Sequence, residues 1–571
     1  MIVPLNTEQE AAAEAIQGNV VVIAGPGTGK TTVLTNRYVR MISTHCIRPE
    51  NILNLTFTSE AAKNMVERVG LFGAKEVFRT FHSFALDLIQ KERLNLPFQA
   101  NEFILPKYGQ DFQLLKDLIK RYPAITTFNS LRDRIAEWKS SNVSPEQAMQ
   151  DMYYDKKGGF FYATAYRDYE VECRQQGWLD FDSLMRETVK LLETNDAVRS
   201  RWIRKYICVD ECQDTDVVQF RLLQLIYGGN IFVVGDENQL IYEWRSAVAG
   251  NLSNFTNHFP GSRTLYLGAN YRSTGAIVSF LKKILPVDNG LASHMRSMRQ
   301  EGEKPKIVKY DNEDSECFRI MNQITDPNNT AIIARTNRQL RTAQRWAMSK
   351  GIKSMILGKK DLWQTTEVKH LIDLVKPLKS DTRPAHEVLT QAMTQHNLTH
   401  VYRNTGGPNE KPPVENLNDF VKLSTSRGTV SEFLKWLNRI TYACEAAKSP
   451  GYDRRAENPT LALTTVHQAK GREWKNVFVI GCRQGKMPHT DGEITEEKRI
   501  FFVAASRAAD RLQISYDGPR SEFLDPTLLA DVAVFSDESD EYKDLGGEKL
   551  RRAAESTRHK ASAAELALGL V

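Results

Sequence analysis

The first residues in the chain able to do chemistry together are Val20-Val21-Val22-Ile23-Ala24-Gly25-Pro26-Gly27-Thr28-Gly29-Lys30-Thr31-Thr32. Four β-branched residues predict a short buried strand, the glycines predict a tight turn, and Val33-Leu34 open an amphipathic helix. That order suits a phosphate. Backbone N–H groups of a glycine-rich turn converge on phosphate oxygens, and the helix N-terminus adds its positive dipole. Lys30 has the reach for the β- and γ-phosphates, and the Thr31 hydroxyl suits Mg²⁺. The candidate triphosphate cradle is therefore Ala24, Gly25, Gly27, Thr28, Gly29, Lys30, Thr31 and Thr32, with Ala24 where the usual string has its first glycine. About 180 residues beyond the lysine, the apolar run Ile207-Cys208-Val209 ends in Asp210-Glu211. Such a strand end belongs beside Mg²⁺: Asp210 holds the metal and Glu211 polarises the attacking water. An Asp-Glu pair at a strand end is commonplace alone. Following Gly25–Thr31, it supplies the second half of one NTP-hydrolysing site.

These residues need elements to hold them. A chain of 571 residues is too long for one core, and three or four domains are expected. Short apolar strands alternate with helical patterns over 20–58, 206–234, 331–357 and 461–508, the rhythm of parallel sheets in α/β domains. Two segments break it: 91–200 is helical in period and rich in aromatics, and 377–459 holds a turn-rich stretch followed by the helical run Val430–Ala447. The end, 536–571, opens acidic and closes basic and Ala-rich. It reads as a solvated tail with one marginal helix, and a protein partner is the one role its charge split offers.

Bulk numbers narrow the class. With 41% hydrophobic and 26% charged residues the composition is that of a globular protein, and 76 basic against 70 acidic residues gives only +6. Charge alone therefore does not identify a nucleic-acid partner. The seven cysteines include no C-x-x-C pair, so no structural metal cluster is expected, and Cys208 and Cys212 read as core packing. No apolar run approaches a membrane span and no secretory leader opens the chain, so no membrane partner and a reduced, cytoplasmic setting are expected.

Asp210-Glu211-Cys212-Gln213, with further ordered blocks, resembles the UvrD/Rep/PcrA group of superfamily 1 DNA helicases from Leu5 to about Leu512. Each block implies a role. In Leu5-Asn-Thr-Glu-Gln9, Gln9 would read the adenine edge. Phe57 and Thr58 would meet single-stranded DNA, with Ser59 where the group has Asn, and Thr80-Phe81-His82-Ser83-Phe84 would face DNA through His82. In Gly235-Asp236-Glu237-Asn238-Gln239-Leu240-Ile241-Tyr242-Glu243-Trp244-Arg245, Gln239 would sense the γ-phosphate while Tyr242 and Trp244 stack on bases. Asn270-Tyr271-Arg272-Ser273 offers Tyr271 to adenine and Arg272 to the γ-phosphate. Thr465-Val-His467-Gln-Ala-Lys470-Gly471-Arg472-Glu473 would join DNA (Thr465, His467) to the ribose (Glu473). In Phe502-Val-Ala-Ala-Ser506-Arg507-Ala508, Arg507 would be a second arginine finger.

The resemblance implies two RecA-like parallel-sheet motor domains, each with a mostly helical insertion. The expected division is 1–95 with 198–268 (first motor), 96–197 (its insertion), 269–378 with 458–534 (second motor), 379–457 (a reduced second insertion) and 535–571 (tail). It implies an ATP- and Mg²⁺-dependent, DNA-stimulated ATPase moving 3′ to 5′ on single-stranded DNA and acting at single-strand/duplex junctions in a bacterial or phage-infected cell. In that scheme a cleft between the motors closes on ATP and opens after hydrolysis. Two other readings use the same motifs: a translocase that strips proteins or serves a nuclease partner without efficient unwinding, and a DNA-stimulated ATPase switch. An RNA helicase fits the Asp-Glu-Cys-Gln block less well, and the sixty residues after Arg511 hold no nuclease-like carboxylate–lysine cluster.

Overall fold

The computed structural model of the chain describes residues 4–70, 73–96, 110–125, 128–151, 159–242, 250–358, 361–402, 413–425, 427–446 and 460–539. Trp244, the tail from 540 on and parts of both expected insertions lie outside them. The chain forms two compact units, one taking it up to Tyr271 together with Val287–Arg296, the other taking Arg272–Pro286 and everything from Ser297 on.

The first unit is built on six parallel strands: β1 (Asn19–Ala24), β2 (Ile52–Thr56), β3 (Phe78–Thr80), β4 (Arg204–Val209), β5 (Tyr227–Gly235) and β6 (Arg263–Leu267). Their order is β3-β2-β4-β5-β1-β6. Alternate residues of β1 enter opposite cores, as the two-residue period of a strand demands. Val20 and Val22 join Leu34, Tyr38, Cys208 and Phe232 on one face. Val21 joins Phe84, Ile207, Cys212, Leu222 and Ile231 on the other. Cys208 and Cys212 are thus core residues of the two faces.

The helical stretch after β3 divides in two. Helices Gln110–Arg121, Phe128–Ser140, Pro145–Asp151 and Gly159–Gln176 share a core of Leu118, Leu131, Ile135, Ala163 and Tyr166. Helix Phe181–Thr194, which the sequence assigns to the insertion, instead buries Leu184, Met185, Val189 and Leu192 in the core of the sheet. Its apolar stripe faces the sheet because the helix also packs on Phe81–Lys91 and Val217–Ile226.

The second unit holds seven parallel strands: β7 (Lys306–Tyr310), β8 (Thr330–Ala334), β9 (Ser354–Ile356), β10 (Leu461–Thr465), β11 (Trp474–Val479), β12 (Ala508–Asp517) and β13 (Val534–Asp537). The order is β9-β10-β8-β11-β12-β7-β13. β13 carries the sheet to Asp537, past position 534 where the sequence ends this domain, since Val534–Asp537 pairs in register with Lys306–Lys309. A separate helical core, with Leu371, Val388, Leu417, Phe420 and Phe433, starts earlier than residue 379, because Trp363, Val368 and Val375 are part of it. The α/β class, with two parallel sheets and helical insertions, is as expected.

Candidate nucleotide and DNA sites

Parallel strands deliver all their carboxyl ends to one edge of a sheet, which is where α/β proteins bind ligands. In the first unit that edge gathers every site candidate the sequence places there that falls among the described residues. The cradle follows β1, Phe57 follows β2, His82 follows β3, Asp210-Glu211 follows β4, Gln239 and Tyr242 follow β5, and Tyr271 follows β6.

Around the cradle the contacts are dense. Gly29 caps helix Lys30–Ser43 at φ 83°, a left-handed conformation, and a Cβ there would come 2.7 Å from Gln9 Nε2. That amide donates to the Thr28 carbonyl at 2.9 Å. Asn6 caps the helix Thr7–Glu14 that carries Gln9 and also donates to the Tyr271 hydroxyl at 2.6 Å. The Tyr271 N–H donates to the Gly27 carbonyl at 2.9 Å, and Asn270 Nδ2 to the Pro26 carbonyl at 2.8 Å. Tyr271 remains 45% exposed, which leaves a ring face open for stacking next to the cradle.

The charged centre is buried at Asp210 and Asp236 and partly covered at Lys30 and Glu211. Lys30 Nζ lies 3.1 Å from Glu211 Oε2. Burial alone would lower the lysine's pKa, but Glu211, Asp236 and Asp210 outweigh it and the net shift is upward. Asp210 is pushed up to about 7 by burial and by Glu211, against the pull of Lys30. Asp236, also raised by burial, accepts from Gln239 Nε2 at 2.8 Å and from the Asn238 N–H at 3.1 Å. Glu211 sits at φ 49°, a left-handed conformation unusual for glutamate and of the kind that concentrates at functional sites.

Three contributors here carried no role in the sequence reading. Gln213 Nε2 donates to Glu211 Oε2 at 2.8 Å while its Oε1 accepts the Asp236 N–H at 3.0 Å, tying the end of β4 to the end of β5. Gly235 makes room for it, since a Cβ there would fall 2.3 Å from Gln213 Oε1. Asp236 is the third. The signal for all three lay in strings already quoted, Asp-Glu-Cys-Gln and Gly-Asp-Glu-Asn-Gln, but only the adjacency of β4 and β5 reveals the bridge.

The donor set fits Mg²⁺. A Thr31 hydroxyl and a carboxylate on Asp210 are hard oxygen ligands, and burial leaves Asp210 short of compensating positive charge. Among the described residues no group of three or more His, Cys, Asp or Glu side chains is arranged to hold a metal alone. Phosphate oxygens would complete the shell, as Mg²⁺ prefers. Because burial disfavours the charged form, Asp210→Asn is expected to raise the melting temperature of the nucleotide-free protein at pH 8 by about 1–3 °C while abolishing ATP hydrolysis. The isosteric amide keeps the acceptor for the Glu211 N–H, 3.1 Å away. A fall in melting temperature would contradict this account of the charge.

The other half of the edge opens as a cleft of about 870 Å³ whose lining includes Phe57, His82, Phe181 and Tyr242. Phe57 and Tyr242 stack with centroids 5.6 Å apart and planes at 19°. His82 meets Phe181 edge to face at 5.5 Å, and burial lowers its pKa, keeping the ring neutral at pH 7. Phe181, 58% exposed, had no role in the sequence reading because its helix was assigned to a separate insertion. Thr58 caps helix Ser59–Val69 by accepting from the Ala61 N–H at 3.1 Å. Aromatic faces in an open cleft can take bases of any identity.

In the second unit the candidates divide between the two edges of the sheet. Thr465 ends β10 and His467 follows it, on the carboxyl edge. Arg335, after β8, pairs with the buried Glu497 at 2.7 Å on the same edge. Glu473 and Arg507 immediately precede β11 and β12, on the amino edge, where the Trp474 N–H meets the Arg507 carbonyl at 3.1 Å. Arg272 Nε lies 2.6 Å from Glu473 Oε2. Arg507 is 1% exposed and donates to the Val503 carbonyl at 3.0 Å, the Ser506 hydroxyl at 2.7 Å and the Arg472 carbonyl at 3.3 Å.

Known proteins resemble the chain over most of its length. A profile of the UvrD/REP helicase N-terminal domain matches residues 5–260, and one of the UvrD-like helicase C-terminal domain matches 265–386 and 379–518. The chain is 27% identical over 620 residues to the ATP-dependent DNA helicase Rep of Escherichia coli (strain K12), covering 91% of this chain and 92% of the relative. It is 25% identical over 661 residues to the ATP-dependent DNA helicase PcrA of Bacillus subtilis (strain 168), covering 97% and 88%. Since the two profiles run almost without a break from residue 5 to residue 518, the chain belongs to the UvrD-like helicase family.

Proposed function

We propose that the chain is an ATP-dependent DNA helicase that travels 3′ to 5′ on single-stranded DNA, with ATP and Mg²⁺ bound on the first unit. One observation carries the link between fuel and track. The segment Asp236–Tyr242 holds Gln239 on Asp236, which interacts with Lys30, and three residues beyond Gln239 it holds Tyr242 against Phe57 in the cleft. A shift of that loop on loss of the γ-phosphate is felt by a base stacked there.

The residues of the first unit have these parts. Gln9 and Tyr271 take the adenine, the cradle 24–32 takes the phosphates, and Lys30 leaves Glu211 for the γ-phosphate. Glu211, freed of its lysine, orients the attacking water. Held by Thr31 and Asp210, Mg²⁺ would neutralise charge developing on the β- and γ-oxygens. Arg272 and Arg507, with Glu473, are the second unit's contribution to the nucleotide, and Thr465 and His467 its contribution to DNA. Arg272 and Glu473 start out paired with each other, at 2.6 Å. The two units then act as the family's two motors, with boundaries close to Tyr271, and their work is in the cytoplasm, on single strands and junctions.

The translocase without efficient unwinding has one observation in its favour. The alignment with Rep runs over 620 positions, whereas 91% of this chain is about 520 residues, so roughly 100 positions of that relative have no counterpart here. A reduced helical insertion in the second motor, around 379–457, would account for much of that shortfall. ATP hydrolysis with and without single-stranded DNA, measured for wild type and Lys30→Ala, tests the core of the proposal. Stimulation of at least tenfold in wild type and none in the variant is expected. Duplexes with 3′ or 5′ tails then give direction, and displacement of end-bound streptavidin without strand separation would select the translocase. Absence of DNA stimulation in wild type would overturn both.

A further inference from the structure

The nucleotide arginines of the second unit are not borne by independent loops. Arg272 Nη1 donates to the Ser506 carbonyl at 3.0 Å, Ser273 Oγ to the Ala508 carbonyl at 2.6 Å, and the Thr274 N–H to the Ala509 carbonyl at 3.0 Å. One further side chain closes this seam from outside. Arg299 Nη1 donates to the Arg272 carbonyl and, at 3.2 Å, to the Ala509 carbonyl, while its Nη2 meets Asp510 Oδ1 at 2.6 Å. A single guanidinium therefore holds the main chain at Arg272, the main chain two residues beyond Arg507, and the next side chain. Its own backbone is fixed beside them, because Ser297 Oγ bonds both the Ser273 carbonyl, at 2.7 Å, and the Arg299 N–H, at 3.0 Å.

We propose that Arg299 is a positioning residue for ATP hydrolysis: it locks the Arg272 backbone to the segment after Arg507, so that both arginines approach the nucleotide as one block. The inference rests on the reading of Arg272 as a γ-phosphate contact. The chemistry demands arginine. A planar fork reaches two carbonyls with one nitrogen and a carboxylate with the other, whereas a lysine ammonium is a point donor that satisfies Asp510 without spanning both segments. The side chain is 37% exposed, so its loss opens no cavity and the damage is to geometry. Small misplacements of a charge-stabilising group are enough to cost one to two decades in rate.

The test uses the full chain. Arg299→Met is expected to lower kcat of the DNA-stimulated ATPase about 10- to 100-fold, with single-stranded DNA affinity in the absence of nucleotide unchanged within twofold. Arg299→Lys is expected to behave like Arg299→Met, and Asp510→Asn, which keeps both carbonyl contacts, to stay within about threefold of wild type. The decisive measurement is the cycle with Arg272→Ala: because Arg299 acts through Arg272 and through the segment after Arg507, adding Arg299→Met to Arg272→Ala is expected to cost clearly less than Arg299→Met costs in wild type. Rescue by lysine, or multiplicative losses in the double variant, would overturn the positioning role. Full activity of Arg272→Ala would instead remove the underlying reading. A slow Arg272→Ala beside a fast Arg299→Met would remove only the positioning role.

Discussion

Glu211→Gln is expected to slow ATP hydrolysis by about 10²–10⁴-fold while leaving ATP affinity equal to or tighter than wild type. The direction of the affinity change follows from the charges around Lys30. In the nucleotide-free protein the ammonium lies 3.1 Å from Glu211 and is also attracted by Asp236 and Asp210. A triphosphate has to draw the lysine away from Glu211 and then sit beside that carboxylate. The neutral amide removes both the competitor and the repulsion, yet it keeps the acceptor oxygen for Gln213, 2.8 Å away in wild type. It cannot take or polarise a water proton as a carboxylate does, so chemistry is lost while binding survives. Lys30→Ala carries the opposite signature, weak nucleotide binding together with no turnover, because it removes the positive charge that Glu211, Asp236 and Asp210 surround. Single-turnover hydrolysis and equilibrium binding of a fluorescent ATP analogue separate the two. A Glu211→Gln variant that loses affinity in step with rate would show that Glu211 holds the site together rather than activating water, and one that retains more than a tenth of the wild-type rate would remove the water-activating role.

The pattern of what the residues revealed in advance has a physical basis. The cradle and Asp210-Glu211 are legible because their function is local: a strand, a turn and a helix start are each coded within a few residues, and the ligand is met by backbone and adjacent side chains. The α/β class was legible from the same alternation. The Gln213 bridge to Asp236 was not, because it exists only once β4 and β5 are neighbours in the sheet. Phe181 was missed for a related reason. Its helix has the period of any amphipathic helix, and period does not say whether the apolar stripe meets the sheet or the neighbouring helical core. The reach of the helical core and of the sheet is a similar case: Trp363 and Val368 lie before the turn-rich stretch of the second insertion, and β13 extends the sheet to Asp537. The opposed placement of Thr465 and Glu473, on the two edges of one sheet, likewise needs the strand directions and not the motif that contains both.

Lys139→Met is expected to destabilise the helical insertion of the first unit by about 3–5 kcal/mol, the cost of removing one partner from a buried ion pair. Lys139 is fully buried and uses all three ammonium protons: Asp180 Oδ2 and Glu170 Oε1 lie at 2.6 Å and Ser183 Oγ at 2.7 Å. The Tyr169 ring lies 4.7 Å away and its hydroxyl donates to the same Asp180 oxygen at 2.9 Å. Burial alone would raise the pKa of Asp180, but Lys139 more than offsets it and holds the carboxyl below its ordinary value. A depressed carboxylate contributes stability above its unfolded pKa of about 4 and loses it as pH falls through the folded value. Lys139, raised by Asp180 and Glu170 against its burial, contributes below its unfolded pKa of about 10.4 and loses its contribution only as pH rises through the folded value. The wild-type network is therefore level between about pH 5 and 9. In Lys139→Met the sign at Asp180 reverses: burial without the lysine raises its pKa, so the variant is penalised most at high pH and recovers as pH falls. Hydrogen exchange in helices Phe128–Ser140, Gly159–Gln176 and Phe181–Thr194 is expected to speed up more at pH 8 than at pH 6, and Asp180→Asn in the same chain to restore part of the protection. The consequence reaches the cleft. Asp180 caps the helix that starts at Phe181 by accepting the Ser183 N–H at 2.7 Å, and Phe181 is the ring set edge to face on His82. Loosening that cap should weaken single-stranded DNA binding while ATP binding without DNA stays intact. Exchange in those helices unchanged from wild type would mean that the three hydrogen bonds of Lys139 carry none of the stability assigned to them.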